Sequence, residues 1–146
     1  MLETTESLPL MPPFRIAPVE LERKPRLEQR GVILVVEDDE DIRSLLAESL
    51  TSSGYSVVEA RDGLDALKAL EAGVVPRVVV LDLMMPRMNG WVFLERLRAD
   101  PERADLPVLV TSAFTDLRSI DASAYLAKPF RMDEFDRAIA ELCGQA

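Results

Sequence analysis

From residue 31 onward, the chain alternates between two patterns of apolar residues. Five short segments are apolar without a helical period, which is typical of strands buried on both faces; they cover residues 32–36, 55–60, 78–82, 108–112 and 124–128. Between and after these segments, mainly apolar residues recur at the three- and four-residue spacing of amphipathic helices. These stripes are formed by Ile42, Leu45, Leu46, Ser49 and Leu50; by Leu64, Leu67 and Leu70; by Trp91, Leu94 and Leu97; and by Met132, Phe135, Ile139 and Leu142. Strands that alternate with helices predict an α/β protein.

The breaks between these segments support the same architecture. Gly54 and Gly73 follow the first two helical stripes, and Asp100 with Pro101 ends the third. We therefore expect a doubly wound, five-stranded parallel sheet of the flavodoxin-like type, with strand order 2-1-3-4-5. Residues 115–121 leave room for roughly two helical turns between the fourth and fifth strands, so the fourth helix is expected to be short or irregular.

Residues 1–30 differ from the rest of the chain. They contain five of the ten prolines and show neither a helical nor a strand period, which predicts a disordered N-terminal arm. Their apolar side chains also favour a second interpretation, an arm that docks on another surface; these side chains are Leu8, Leu10, Met11, Phe14 and Ile16. The sequence leaves both interpretations open.

Charge and composition exclude several classes of function. The formal net charge of −9 lies wholly in residues 31–146, because the acidic and basic residues of the arm cancel. An acidic domain repels phosphate backbones, so we expect no direct contact with nucleic acid. The sequence contains no histidine, which excludes serine-histidine triads, histidine metal ligands and a histidine phosphodonor.

Cysteine content and hydropathy predict the cellular location. The single cysteine, Cys143, cannot form an intramolecular disulfide. No apolar run approaches the ~18 residues of a membrane span, and the N-terminus lacks the pattern of a secretory signal. We expect a cytoplasmic protein that does not contact a membrane.

Acidic residues follow two of the predicted strands. Glu37 and Asp38 end the first strand, and Asp82 ends the third. Strands one and three are neighbours in the predicted order, so these carboxylates are expected to share one pocket at the switch point of the sheet. Carboxylates this close repel one another unless a cation lies among them, and an all-oxygen site suits Mg²⁺. The nearby Asp39 and Asp41 are instead interpreted as the cap and first turn of the following helix.

Two further strand ends carry polar groups. Ser112 ends the fourth strand and Lys128 the fifth. A hydroxyl donor, a fixed positive charge and a metal ion around one carboxylate would make a site that accepts a phosphoryl group, with Asp82 as the nucleophile.

Residues 31–146 resemble the receiver domain of bacterial two-component response regulators. The resemblance rests on four motifs in this order, VVEDDE, LDLMMPRMNG, VLVTSA and AKPF. It implies that Asp82 is the phosphorylated residue. It also implies that Glu37 and Asp38 are the acidic pair that binds Mg²⁺, with the backbone carbonyl of Met84 as a further ligand.

The resemblance implies roles for the last two strands as well. Ser112 matches the switch hydroxyl, Tyr125 the aromatic switch residue, and Lys128 the lysine that precedes a cis bond to Pro129. The interval between Ser112 and Lys128 is shorter than the family usually has. The signalling surface around the fourth helix is therefore expected to differ from that of a typical family member.

The resemblance implies a single-domain response regulator. It would accept a phosphoryl group from a histidine kinase or phosphotransfer protein and signal by binding a downstream protein, as a monomer or weak homodimer without an output domain. It would be no enzyme beyond catalysing its own phosphorylation and dephosphorylation. The alternative is a receiver-like interaction module that works without phosphorylation. An aspartyl-phosphate hydrolase is disfavoured, because Met84 stands where those enzymes need a second aspartate.

Overall fold

The computed structural model of the chain describes residues 30–113 and 120–145. Its elements alternate between strands and helices, and the described residues contain four helices and five strands. In chain order these are β1 (Val32–Val36), α1 (Glu40–Ser52), β2 (Ser56–Ala60), α2 (Gly63–Glu71), β3 (Val78–Asp82), α3 (Gly90–Ala99), β4 (Val108–Ser112), β5 (Ala124–Ala127) and α4 (Met132–Gln145).

The five strands form one parallel sheet in the order β2-β1-β3-β4-β5, which confirms the predicted fold and strand order. Val36 at the end of β1 pairs with Leu81 of β3, and Asp82 pairs with Thr111 of β4. The carboxyl ends of these strands therefore lie at one edge of the sheet. The strand order reverses between β1 and β3, which is where doubly wound folds bind their ligands.

Helices cover both faces of the sheet. On one face α1 and α4 pack against β1 and β3 through side chains such as Leu46, Phe135 and Ile139. On the other face α2 and α3 pack against the same strands, with Phe93 and Leu97 fully buried. Every residue of β3 and β4 is buried, which explains why these segments show no alternation of apolar and polar residues.

Short polar side chains cap the N-termini of α1, α2 and α3. The Asp39 carboxylate accepts a hydrogen bond from the Ile42 amide at 3.0 Å and caps α1, while Asp41 lies in the first turn. Both residues thus have the structural roles predicted for them. Asp62 caps α2 and Asn89 caps α3 in the same way.

Two details of the predicted pattern were wrong. Strand β2 begins at Ser56 rather than Tyr55, because the Tyr55 amide bonds to the Leu50 carbonyl and closes the end of α1. Strand β5 ends at Ala127 rather than Lys128, since the following Pro129 has no amide hydrogen with which to continue the ladder. Leu45 lies on the apolar stripe of α1, and it is 51% exposed at the border of an open groove.

Other predictions concern residues that the structure does not describe. The N-terminal arm lies outside the described residues except for Arg30, and most of the segment predicted to form a short fourth helix lies outside them as well.

The peptide bond between Lys128 and Pro129 is cis, as predicted. None of the helices in the described ranges has the length and hydropathy needed to cross a membrane.

Candidate functional site

Three carboxylates meet at the carboxyl edge of the sheet. Glu37 and Asp38 follow β1 and Asp82 ends β3, and one oxygen of each lies within 4.8 Å of the others. Glu37 and Asp82 are buried, at 1% and 4% exposure, whereas Asp38 is exposed. The structure thus brings together the acidic residues that the sequence placed in one pocket, and one side of the cluster is open to water.

Lys128 supplies the balancing charge from the end of β5. Its Nζ lies 2.9 Å from Glu37 Oε1 and 3.5 Å from Asp82 Oδ1. Burial alone would lower the pKa of this lysine, but the hydrogen bond to Glu37 and the charges of both carboxylates outweigh it and raise the pKa. Lys128 therefore remains a fixed cation beside Asp82.

Asp82 is destabilised in its ionised form. Burial, followed by the negative charge of Glu37, raises the pKa of Asp82 from 3.8 to about 6, even though Lys128 and the Met84 amide act in the opposite direction. One cation is thus too little for three carboxylates. A second cation at the cluster would relieve the repulsion.

The Glu37 carboxylate is held in place from several directions, which the sequence did not indicate. Its Oε2 accepts a hydrogen bond from the Asp39 amide at 3.1 Å, while Oε1 faces Lys128. The Glu37 carbonyl accepts a hydrogen bond from Arg43, which also pairs with Glu59 of β2. The loop that carries Glu37 and Asp38 is therefore fixed to both α1 and β2.

The donor set suits a small hard cation. It consists of carboxylate oxygens, with neither sulfur nor imidazole, and this is the ligand class of Mg²⁺. Mg²⁺ keeps several waters when it binds to proteins, and the exposed Asp38 leaves room for them. The residues that are present therefore fit Mg²⁺.

The other predicted site residues lie at the end of β4, in the loop after β3 and on β5. Ser112 is fully buried at the end of β4, one residue beyond the partner of Asp82 in the ladder. Met84 lies in the loop after β3, where its backbone amide hydrogen-bonds to the Asp82 carboxylate and its side chain is 55% exposed. Tyr125 lies on the edge strand β5, 42% exposed, and its hydroxyl donates to the Ile120 carbonyl at 2.7 Å.

The family model of the response regulator receiver domain matches residues 33–140 of the chain. The chain belongs to this family. Phosphorylation on an aspartate and binding of Mg²⁺ are general properties of the family, and receiver domains interact with histidine kinases. A receiver domain is not a classical enzyme.

Individual relatives support the same assignment. The receiver domain is 44% identical over 108 residues to the response regulator MprA of a Mycobacterium species, which covers 70% of this chain and 46% of MprA. It is 37% identical over 108 residues to the DNA-binding dual master transcriptional regulator RpaA of Synechocystis, covering 70% of this chain and 44% of RpaA. The chain thus spans about half the length of the curated relatives it matches.

Among solved structures, the receiver domain resembles the response regulator TrrA from Thermotoga maritima. The two share 32% sequence identity with a TM-score of 0.68, and the match covers 76% of this chain and 97% of that one. The TrrA structure was solved in complex with Mg²⁺ and BeF.

The raised pKa of Asp82 predicts a stability effect that depends on pH. An acid whose pKa is higher in the folded than in the unfolded state destabilises the fold as pH rises from about 4 to 6. Asp82→Asn removes the ionisable group. In metal-free protein at pH 7.5, we therefore expect this variant to raise the free energy of unfolding by about 1–3 kcal/mol, measured by urea denaturation.

The difference in the free energy of unfolding between Asp82→Asn and the wild type should shrink when the measurement is repeated at pH 4.5. Asp39→Asn is the matched control, because the amide keeps the cap of α1 and should change the stability little at either pH. A gain in Asp82→Asn that is independent of pH would contradict the assigned cause.

Proposed function

We propose that this receiver domain accepts a phosphoryl group on Asp82, from a histidine kinase or a phosphotransfer protein, in two-component signalling. The observation that carries the proposal is the environment of Asp82, which is buried, grouped with Glu37 and Asp38 and 3.5 Å from a lysine that stays charged. A purely structural carboxylate has no need of an arrangement that raises its own pKa.

The proposed reaction transfers the phosphoryl group between two proteins. A carboxylate oxygen of the ionised Asp82 attacks phosphorus, and the phosphorus–nitrogen bond of the donor phosphohistidine breaks. The donor imidazole carries a proton on its other ring nitrogen, so the nitrogen that takes the electron pair leaves as part of a neutral ring. The product is an acyl phosphate on Asp82 and a neutral histidine on the donor. Lys128 pairs with one phosphoryl oxygen and the Ser112 hydroxyl donates to another, so that the chain's own groups stabilise the charge of the transition state.

Mg²⁺ would be held by the carboxylates of Glu37, Asp38 and Asp82 and by the backbone carbonyl of Met84. When bound, it supplies positive charge to the phosphoryl oxygens. Loss of the group by hydrolysis at the same site belongs to the proposal as well. The likeness to TrrA, whose structure contains Mg²⁺ and BeF, supports this assignment.

We propose that the segment between β4 and β5 changes conformation on phosphorylation and transmits the signal. Ser112 precedes this segment, and Tyr125 is bonded to its last part through the Ile120 carbonyl. A Ser112 hydroxyl drawn toward the phosphoryl group would alter the segment and the Tyr125 contact with it. Residues 114–119 lie outside the described residues, so the support comes from the two ends of the segment.

The two curated relatives bear on the output that phosphorylation would control. MprA and RpaA are about twice as long as the region that matches. They therefore do not support the expectation of a regulator without an output domain, and we do not propose the absence of such a domain. RpaA is described as DNA-binding, whereas the acidic charge of this chain favours a protein as the direct downstream partner. A cytoplasmic location and a monomer or weak homodimer complete the proposal.

Phosphorylation itself provides the test. Incubation with acetyl phosphate and Mg²⁺ should add the mass of one phosphoryl group to the wild-type chain, measured by intact-protein mass spectrometry. Asp82→Asn should gain none, because an amide cannot form an acyl phosphate. Asp38→Ala should be labelled at least about tenfold more slowly, since it loses a metal ligand.

Asp39→Asn is again the matched control and should be labelled like the wild type, because it keeps the cap of α1. Equal labelling of Asp82→Asn and the wild type would overturn the proposal. A wild-type chain that binds Mg²⁺ but stays unlabelled would instead favour the alternative, an interaction module that works without phosphorylation.

A groove beside the site supports a protein as the phosphodonor. It has a volume of about 470 Å³, and its lining includes Ile42, Leu45 and Leu46 of α1, with Ala113, Lys128 and Phe130 on the other side. Its apolar lining and the exposure of Leu45 make it suited to an apolar helix face. Because Lys128 belongs to both the groove and the site, a protein bound there would bring its phosphohistidine close to Asp82.

Leu45→Asp should affect phosphorylation by a protein kinase but not phosphorylation by the small donor acetyl phosphate. We expect acetyl phosphate to label this variant at the wild-type rate, because the site is unchanged. Transfer from a purified kinase that labels the wild type should fall by about tenfold or more, measured by radiolabelled transfer. Val75→Asp is the control, because Val75 is 81% exposed and precedes β3 at the opposite edge of the sheet. Equal effects of both variants would contradict docking in the groove.

A further inference from the structure

The loop between β3 and α3, residues 83–89, is tied to the start of α2 by an ion pair. Arg87 Nε lies 2.6 Å from Asp62 Oδ2, and Arg87 Nη2 lies 3.3 Å from Asp65 Oδ1. The Asp62 side chain is only 3% exposed, while its other oxygen caps α2 by accepting from the Asp65 amide. Removal of Arg87 would leave a buried charge without its counterion.

The charge on Asp62 is maintained by this contact. Burial alone would raise the pKa of Asp62, but the hydrogen bonds from Arg87 and from the Asp65 amide outweigh it and lower the pKa. Arg87 has a φ of 60°, a left-handed conformation that is unfavourable for an arginine. The loop therefore adopts a conformation that its own backbone does not favour, while the ion pair opposes that cost.

Backbone contacts fix the same loop at two further points. The Gly63 amide donates to the Met88 carbonyl at 3.0 Å, and a Cβ on Gly63 would come within 2.7 Å of Met88 Cγ. At the end of the loop, the Gly90 amide bonds to the Leu83 carbonyl, and a Cβ on Gly90 would come within 2.4 Å of the Asp82 carbonyl oxygen. These close approaches leave the loop little freedom to move while the ion pair is intact.

The ion pair also borders the acidic cluster. One cavity of about 460 Å³ is lined by Asp38, Arg61, Asp62, Pro86 and Arg87. The loop that carries Met84 and the start of α2 thus line the same cavity as Asp38, the exposed carboxylate of the cluster.

We propose that the Asp62–Arg87 ion pair is a positioning device for the metal site, which holds loop 83–89 in the conformation that presents the Met84 backbone to the cation. The inference rests on the proposed function, because it requires Mg²⁺ at Glu37, Asp38 and Asp82. Arg87 is a positioning residue, since its guanidinium contacts Asp62 and Asp65 and not the cluster itself.

Removal of Arg87 could change Mg²⁺ affinity in two ways, and the two predict changes in opposite directions. If Arg87 acted only through its charge, its removal would make the cavity more negative and would tighten Mg²⁺ binding. If Arg87 positions the loop, its removal weakens Mg²⁺ binding, because a ligand is no longer held in place. The direction of the change therefore separates the two explanations.

The experiment titrates Mg²⁺ into the full chain and follows the fluorescence of Trp91, the single tryptophan, which lies in the first turn of α3 directly after the loop. We expect Arg87→Asn to raise the dissociation constant about tenfold. Asparagine tolerates the left-handed conformation, so the change removes the ion pair without straining the backbone. Arg87→Lys keeps the charge but replaces two contacts with one, and it should also raise the dissociation constant, by a smaller factor.

Arg61→Asn is the matched control. Arg61 lines the same cavity, but its side chain pairs with Asp65 within the start of α2 rather than with the loop. Its removal should leave Mg²⁺ affinity unchanged or make it tighter. Asp62→Asn keeps an oxygen for the cap of α2, and the double variant Asp62→Asn/Arg87→Asn should bind Mg²⁺ no more weakly than the weaker single variant.

Hydrogen exchange of the metal-free protein gives an independent result. Exchange of the Gly63 and Gly90 amides should be faster in Arg87→Asn than in the wild type or Arg61→Asn. Unchanged or tighter Mg²⁺ binding in both Arg87 variants would overturn the positioning role while the phosphoacceptor proposal stands. A wild-type chain that binds no Mg²⁺ would overturn both.

Discussion

The repulsion among three carboxylates at one edge of the sheet is the constraint on which the rest of the site depends. Glu37 and Asp82 are buried beside each other, and the charge of Lys128 satisfies Glu37 more closely than Asp82. Burial, followed by the negative charge of Glu37, raises the pKa of Asp82. A cation at the cluster would relieve the repulsion, and in the proposed reaction the phosphoryl group of a donor would meet Asp82 beside a fixed positive charge.

The surrounding structure keeps these charges close together. Apolar strands deliver Glu37 and Asp82 to the same edge, and the core on both faces of the sheet leaves the strands no freedom to separate. Arg43 and the Asp39 amide fix the first acidic loop, while Asp62 and Arg87 fix the loop after β3. The neighbouring elements thus supply the stability that offsets the repulsion among the carboxylates.

Sequence patterns predicted the sheet order and the acidic cluster because both depend on buried strands with polar ends. They misplaced Tyr55 and Lys128 by one residue, because a helix-closing hydrogen bond and the missing amide of Pro129 act beyond the apolar pattern. The Asp62–Arg87 pair was missed since its partners are far apart in the sequence and neither follows a strand directly. The apolar stripe on α1 did not reveal that Leu45 is exposed, because exposure depends on which other parts of the chain pack against the helix.

Mg²⁺ titration followed by amide signals in NMR tests most directly whether the three carboxylates act as one cation site. We expect the largest shifts at Glu37, Asp38, Asp82 and Met84. We also expect Mg²⁺ to bind more weakly as pH falls through about 6, where Asp82 takes up a proton. Shifts spread over the acidic surface, or an affinity independent of pH in this range, would show that the three carboxylates do not act as one cation site.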